Sequence, residues 1–112
     1  MKSAWQDVVE ELQEGERIEA VIFGPWGWGG YREPDPPKVP HDLFGKVLKP
    51  EEAKQYMEDW TFYTDYGAPD CYAAYIYTNW RIFFVVQYDG ATWLEWIPRN
   101  PTEGIIPEMP GG

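Results

Sequence analysis

The chain is short of the groups from which most active sites are built. It has one cysteine, Cys71, and one histidine, His41, among 112 residues. A single thiol excludes an intramolecular disulfide. A nucleophile and base would have to be Cys71 and His41, yet His41 falls in an irregular stretch, and free cysteine is most often a small buried hydrophobe. Cations are also scarce. Nine Lys and Arg face nineteen Asp and Glu, a net charge of −10 that opposes attraction to a phosphate backbone, so DNA, RNA and anionic membrane are excluded as direct partners. No apolar run is long enough for a signal peptide or a membrane span, and the expected location is the cytoplasm. No cofactor motif is present.

Aromatic residues are plentiful: seven Trp, eight Tyr and five Phe make up 18% of the chain. One domain spanning residues 1–112 is the expected organisation, and its core is small for so many rings. Some rings are therefore expected at the surface, where Trp and Tyr give large, rigid contact area.

Local patterns predict an α+β fold. Ser3 and Gln6 match a capping box, and Ala4, Trp5, Val8, Val9 and Leu12 recur at helical spacing, which predicts a helix over 4–14 closed by Gly15. Glu10, Glu11 and Glu14, with Glu16 just beyond, sit at the negative end of its dipole, where they do not help the helix. They read as a solvated face or as a docking patch for a basic surface. A strand is predicted at Arg17–Phe23. Pro50, Glu51 and Glu52 open a second helix over 50–59. The remainder reads as a meander over 60–97, with strands at Trp60–Tyr66, Cys71–Thr78, Arg81–Tyr88 and Ala91–Ile97, and a tight turn at Asp89-Gly90. The expected architecture is an antiparallel sheet of four or five strands with two short helices on one face. Because "RIFFVVQY" is apolar on both sides, Arg81–Tyr88 is expected to be central and covered on both faces.

Two stretches lack periodicity. Residues 24–49 hold five glycines and five prolines, and a structureless connection of that length suggests a binding loop. Residues 98–112 hold four prolines and three glycines and are expected to run extended over the sheet, pinned by Ile105, Ile106 and Met109.

Within the first stretch, "GPWGWGGY" (24–31) is tested first as a phosphate cradle. The "EPDPP" that follows cannot open the helix such a cradle requires. As an aromatic clamp it does better. Glycine admits close approach, and Trp26, Trp28 and Tyr31 offer faces to a ligand or partner; folding back as a lid over the sheet is the alternative. Glu33, Asp35, His41 and Asp42 have no recognised metal-ligand spacing. Arg81 and Arg99 can hold an anion or stack on a ring, with Asp89, Glu95 or Asp65 as the ordinary neutralising partners. The terminal Gly111-Gly112 resembles the ends of ubiquitin-like modifiers and sulfur carriers over two residues, and Pro110 departs from that pattern.

The sequence therefore favours a small acidic, non-enzymatic interaction protein. Its contact residues would be Glu10, Glu11, Glu14, Trp26, Trp28 and Tyr31, facing a basic protein surface or a cationic ligand. In size, acidity and lack of catalytic motifs it resembles the small inhibitors encoded by phages and mobile elements. The alternative is a binder of a sugar or nucleotide among Trp26, Trp28, Tyr31 and Arg99.

Overall fold

A computed structural model of the chain describes residues 3–27, 39–58, 71–88 and 91–109. Within them the fold is α+β. Helix α1 spans Ala4–Glu11, strand β1 Ile18–Trp26, a 3-10 turn His41–Leu43, helix α2 Pro50–Met57, and strands β2, β3 and β4 Tyr72–Thr78, Arg81–Tyr88 and Ala91–Pro98. The four strands form one antiparallel sheet in the order β1-β2-β3-β4. The predicted strand at Trp60–Tyr66, the Asp89-Gly90 turn, Glu33, Asp35 and Gly111-Gly112 lie outside the described residues. Tyr88 nevertheless pairs with Ala91 on either side of that dipeptide.

Helix α1 begins as its sequence implies. The Ser3 hydroxyl accepts from the Gln6 N–H at 3.2 Å, and Gln6 Oε1 accepts from the Ser3 N–H at 3.1 Å. It ends earlier than expected. Leu12, already extended, is the C-cap, and Gly15 serves a tight turn beyond the helix at φ +83°. Helix α2 starts with Pro50 as its first residue, and Glu52 Oε1 accepts from the Lys49 N–H at 3.4 Å. It too is shorter than predicted, ending at Met57 rather than 59.

Strand β1 runs three residues past its expected end at Phe23, through Gly24 and Pro25 to Trp26. Proline is tolerated here because β1 is an edge strand and its pairing with β2 shifts register between Phe23 and Trp26. The outer edge of β1 is partly covered by the segment before α2: Val21 and Leu48 exchange both backbone hydrogen bonds, at 3.0 and 2.9 Å. Part of the supposedly irregular 24–49 stretch is thus ordered.

The core lies between one sheet face and the two helices. Ala4 and Val8 of α1 and Ala53 and Met57 of α2 meet Val21, Phe23, Ile76 and Phe83. Aromatic rings fill it edge to face: Tyr72 stands 4.9 Å from Trp26 and 6.4 Å from Phe23, which is 6.0 Å from Tyr56. The Tyr72 hydroxyl accepts the buried Val39 N–H at 3.2 Å.

Two expectations are corrected. Strand β3 is interior to the sheet, with Arg81 and Phe83 buried on one face and Ile82, Phe84 and Val86 partly buried on the other, so the described residues alone do not supply the full cover expected on both faces. Among the described residues no element packs on that second face. The tail does not cover it either, because Ile105, Ile106 and Met109 are all exposed.

Candidate partner-binding surface

Where α1 meets the β2–β3 turn, a buried ion pair fixes the surface above it. Arg81 opens β3 on its core side, where a guanidinium needs a carboxylate to be tolerated. The partner is Glu16. Arg81 Nε donates to Glu16 Oε2 at 2.9 Å and Nη2 to Oε1 at 2.5 Å, a bidentate arrangement with the Glu16 side chain fully buried. Glu16 also accepts from the Gln13 N–H at 3.0 Å and from the Thr78 hydroxyl at 2.6 Å. The Arg81 hydrogen bonds, with those from Thr78 and Gln13, hold its carboxyl down to about 2 against the opposing effect of burial.

The same guanidinium resolves the puzzle of the acidic helix end. Its Nη2 also donates to the Glu11 carbonyl at 2.7 Å, so the cation that the C-terminus of α1 lacks locally arrives from a residue 70 positions away. The turn is tied down as well. Thr78 Oγ1 accepts from the Trp80 and Arg81 N–H groups at 3.1 and 2.7 Å. Asn79 Oδ1 accepts from the Arg17 N–H at 2.9 Å, and Asn79 Nδ2 donates to the Gly15 carbonyl at 3.1 Å.

Two indoles are presented by this frame. Trp80 lies against Gly15, where an added Cβ would sit 3.4 Å from the indole Cζ-side carbon Cη2. Trp96 stacks under the Arg81 guanidinium, 4.9 Å from ring centre to Cζ, with Phe83 at 4.6 Å. Both remain open to solvent, Trp80 by 45% and Trp96 by 44%. Glu10, Glu11 and Glu14 are exposed on the adjoining helix end and turn. Through Gly15 and Arg81 the two indoles are brought to the end of α1 that carries these exposed carboxylates.

The other anticipated contact residues fare differently. Trp26 is only 5% exposed and packs on Tyr72, so it is a core ring and not a clamp; its place on the inward face of the bulged end of β1 decides this. Trp28 and Tyr31 lie outside the described residues. Arg99 donates from Nη1 to Glu19 and to the Thr78 carbonyl, the latter at 2.8 Å, and lies 5.9 Å from the Tyr77 ring. Among the described residues Arg81 pairs with Glu16 and Arg99 with Glu19 rather than with Glu95, while Asp65 and Asp89 lie outside the described residues. Cys71 is buried, and His41 is exposed with its ring stacked 5.0 Å from Phe44. No cluster of three or more potential metal ligands occurs among the described residues, Asp42 and His41 included.

Trp80 and Trp96 were not singled out by sequence, and Glu16, grouped there with the solvated acids, is instead the buried counter-ion. The available signal was Arg81 itself: a lone cation at an inward position of an apolar strand, preceded by Trp80, calls for a buried carboxylate and a ring to stack on. Comparison with protein-family models, curated proteins and solved structures finds no match.

Proposed function

We propose that the protein is a non-enzymatic interaction protein whose acidic, tryptophan-bearing surface engages a basic surface on a partner protein. One observation carries this reading: Trp80 and Trp96, each nearly half exposed, flank the acidic end of α1, Trp80 against Gly15 and Trp96 under the Arg81 guanidinium that also holds the Glu11 carbonyl. Exposed indoles held rigidly lose little entropy on binding, and tryptophan is enriched among residues that dominate interface energy. The carboxylates supply long-range attraction and sign selectivity. Among the described residues no helix is long and apolar enough to cross a membrane, and we place the protein in the cytoplasm. Occupying a cationic surface would block it, the mode of action expected of an inhibitor of the phage or mobile-element kind.

The test is comparative capture from lysate at low and high salt, read by quantitative mass spectrometry. The genuine partner is a protein lost both from the Glu10→Lys, Glu11→Lys, Glu14→Lys triple variant and from the Trp80→Ala, Trp96→Ala double variant. Each indole removed is expected to weaken binding by on the order of 10- to 30-fold. Binding indifferent to both variants refutes the reading. Ligand uptake that survives both and fails on Trp28→Ala would favour the small-molecule alternative.

A further inference from the structure

The sheet has a second face with a different character. Register places Tyr75 beside Phe84 and Tyr77 beside Ile82, while Phe84 and Ile82 stand beside Glu95 and Ile97 of β4. These side chains point away from the helices. Tyr75 and Ile97 are 55% and 50% exposed, and Tyr88 is also open. Among the described residues no helix or strand is recorded against this face, and Arg99 lies 5.9 Å from the Tyr77 ring.

Its charge separates it from the acidic end. Glu19 pairs with Arg17 and Arg99, and Glu95 accepts from the Trp93 indole N–H at 2.7 Å. Two carboxylates are therefore matched by two guanidiniums, and the face is close to neutral although the chain carries −10. Glu10, Glu11, Glu51, Glu52 and Glu58 ride on or beside the helices, on the opposite side. A basic partner thus gains little from this face, and an apolar one gains much.

We propose that this face receives a second copy of the same chain, giving a two-fold, four-layer arrangement of helices, sheet, sheet and helices. Stacked sheets sit ~10 Å apart and each helical layer lies ~10 Å further out, so the acidic layers are held about 30 Å apart, several Debye lengths at physiological salt. Self-association there escapes the repulsion expected of so acidic a chain. Four strands at ~4.8 Å spacing and about eight residues at ~3.3 Å give a face of ~500 Å². Two copies then bury about 1,000 Å², the lower limit for a specific interface, so the dimer is concentration-dependent. It leaves both Trp80–Trp96 surfaces outward, and a dimer would present them bivalently.

Sedimentation of the full chain from micromolar to near-millimolar concentration tests this. The expected result is a reversible monomer–dimer equilibrium that high salt does not weaken. The exposed pair Tyr75→Lys, Ile97→Lys should weaken it by about 100-fold or more, because like charges are then brought face to face. Ile97→Lys alone serves if the double variant loses its circular dichroism. The Glu10, Glu11, Glu14 charge-reversal variant should dimerise normally, which separates this proposal from the partner-binding one. A monomer at every concentration overturns the proposal. So does a dimer that persists in the Tyr75 and Ile97 variants.

Discussion

Glu16→Gln is the most informative single substitution, because it keeps the shape of the side chain and removes only its charge. In the native protein the Glu16 carboxylate takes two bonds from Arg81, at 2.9 and 2.5 Å, and is completely buried. Its carboxyl is lowered from 4.5 to about 2. Between those two pH values the unfolded chain binds a proton at this position and the folded chain does not, so stability rises with pH across that window. The contribution is complete above about pH 5 and lost as pH falls through about 2. At ~1.4 kcal/mol per unit, a shift of this size corresponds to about 3 kcal/mol. Leaving the Arg81 guanidinium buried without its counter-ion costs ~3–5 kcal/mol by analogy with other broken buried pairs.

The assay is urea unfolding followed by tryptophan fluorescence, for wild type and Glu16→Gln, in steps from neutral pH to pH 2. The difference between the two proteins is the quantity to read, since it cancels the other carboxylates that titrate nearby. It should be about 3 kcal/mol or more at neutral pH and close as the wild-type acid becomes protonated, a Gln and a neutral Glu being near equivalents. Glu16→Leu combined with Arg81→Met should recover most of the lost stability, because both charges then leave together. A neutral-pH difference below about 1 kcal/mol, or one that stays flat from pH 5 to pH 2, would refute the reasoning.

Other outcomes follow from single contacts. Thr78→Val leaves the Trp80 and Arg81 N–H groups without their acceptor and should cost about 2–3 kcal/mol in the same denaturation assay. Tyr72→Phe strands the buried Val39 N–H and should cost ~1–3 kcal/mol, with hydrogen exchange at Val39 as the local check. Gly15→Ala combines a φ of +83° with a Cβ against the Trp80 ring; an expected loss of ~1–2 kcal/mol is read from the urea midpoint. The Cys71 thiol, 2% exposed, should react with a chromogenic disulfide only as fast as the protein opens, and native-state labelling at the rate of a free thiol would contradict its burial.

Elements with local causes were legible in the sequence. The capping box at Ser3–Gln6, Pro50 at a helix start and the β-branched, aromatic runs of β2, β3 and β4 each specify their structure within a few residues. What escaped was pairing over distance. Glu14 and Glu16 are the same residue type two positions apart, yet one is exposed and the other is the counter-ion of a residue 65 positions away. Trp26 and Trp96 likewise both lie on strands. Trp26 is buried in the core against Tyr72, while Trp96, opposite Phe83 near the rim, is left half open. Only sheet order and register distinguish them. Glu10, Glu11 and Glu14 could thus be read from the sequence as exposed acids, whereas Trp26, expected at a contact, is a core ring.

Under the proposed function the buried pair also links stability to recognition, which distinguishes a preorganised surface from a fortuitous group of exposed residues. Arg81 simultaneously holds the Glu11 carbonyl, the Glu16 carboxylate and the face of Trp96, so helix end, turn and indole share one support. Glu16 itself is inaccessible and touches no partner. If Trp80, Trp96 and the three exposed carboxylates bind as a preorganised unit, Glu16→Gln must weaken partner capture under conditions where the protein remains folded. If they act as independent side chains, capture should follow surface charge alone, and Glu16→Gln should leave it unchanged. Comparing this variant with Tyr72→Phe, which destabilises the opposite end of β2 without touching Arg81, at conditions where both are fully folded, isolates preorganisation from stability.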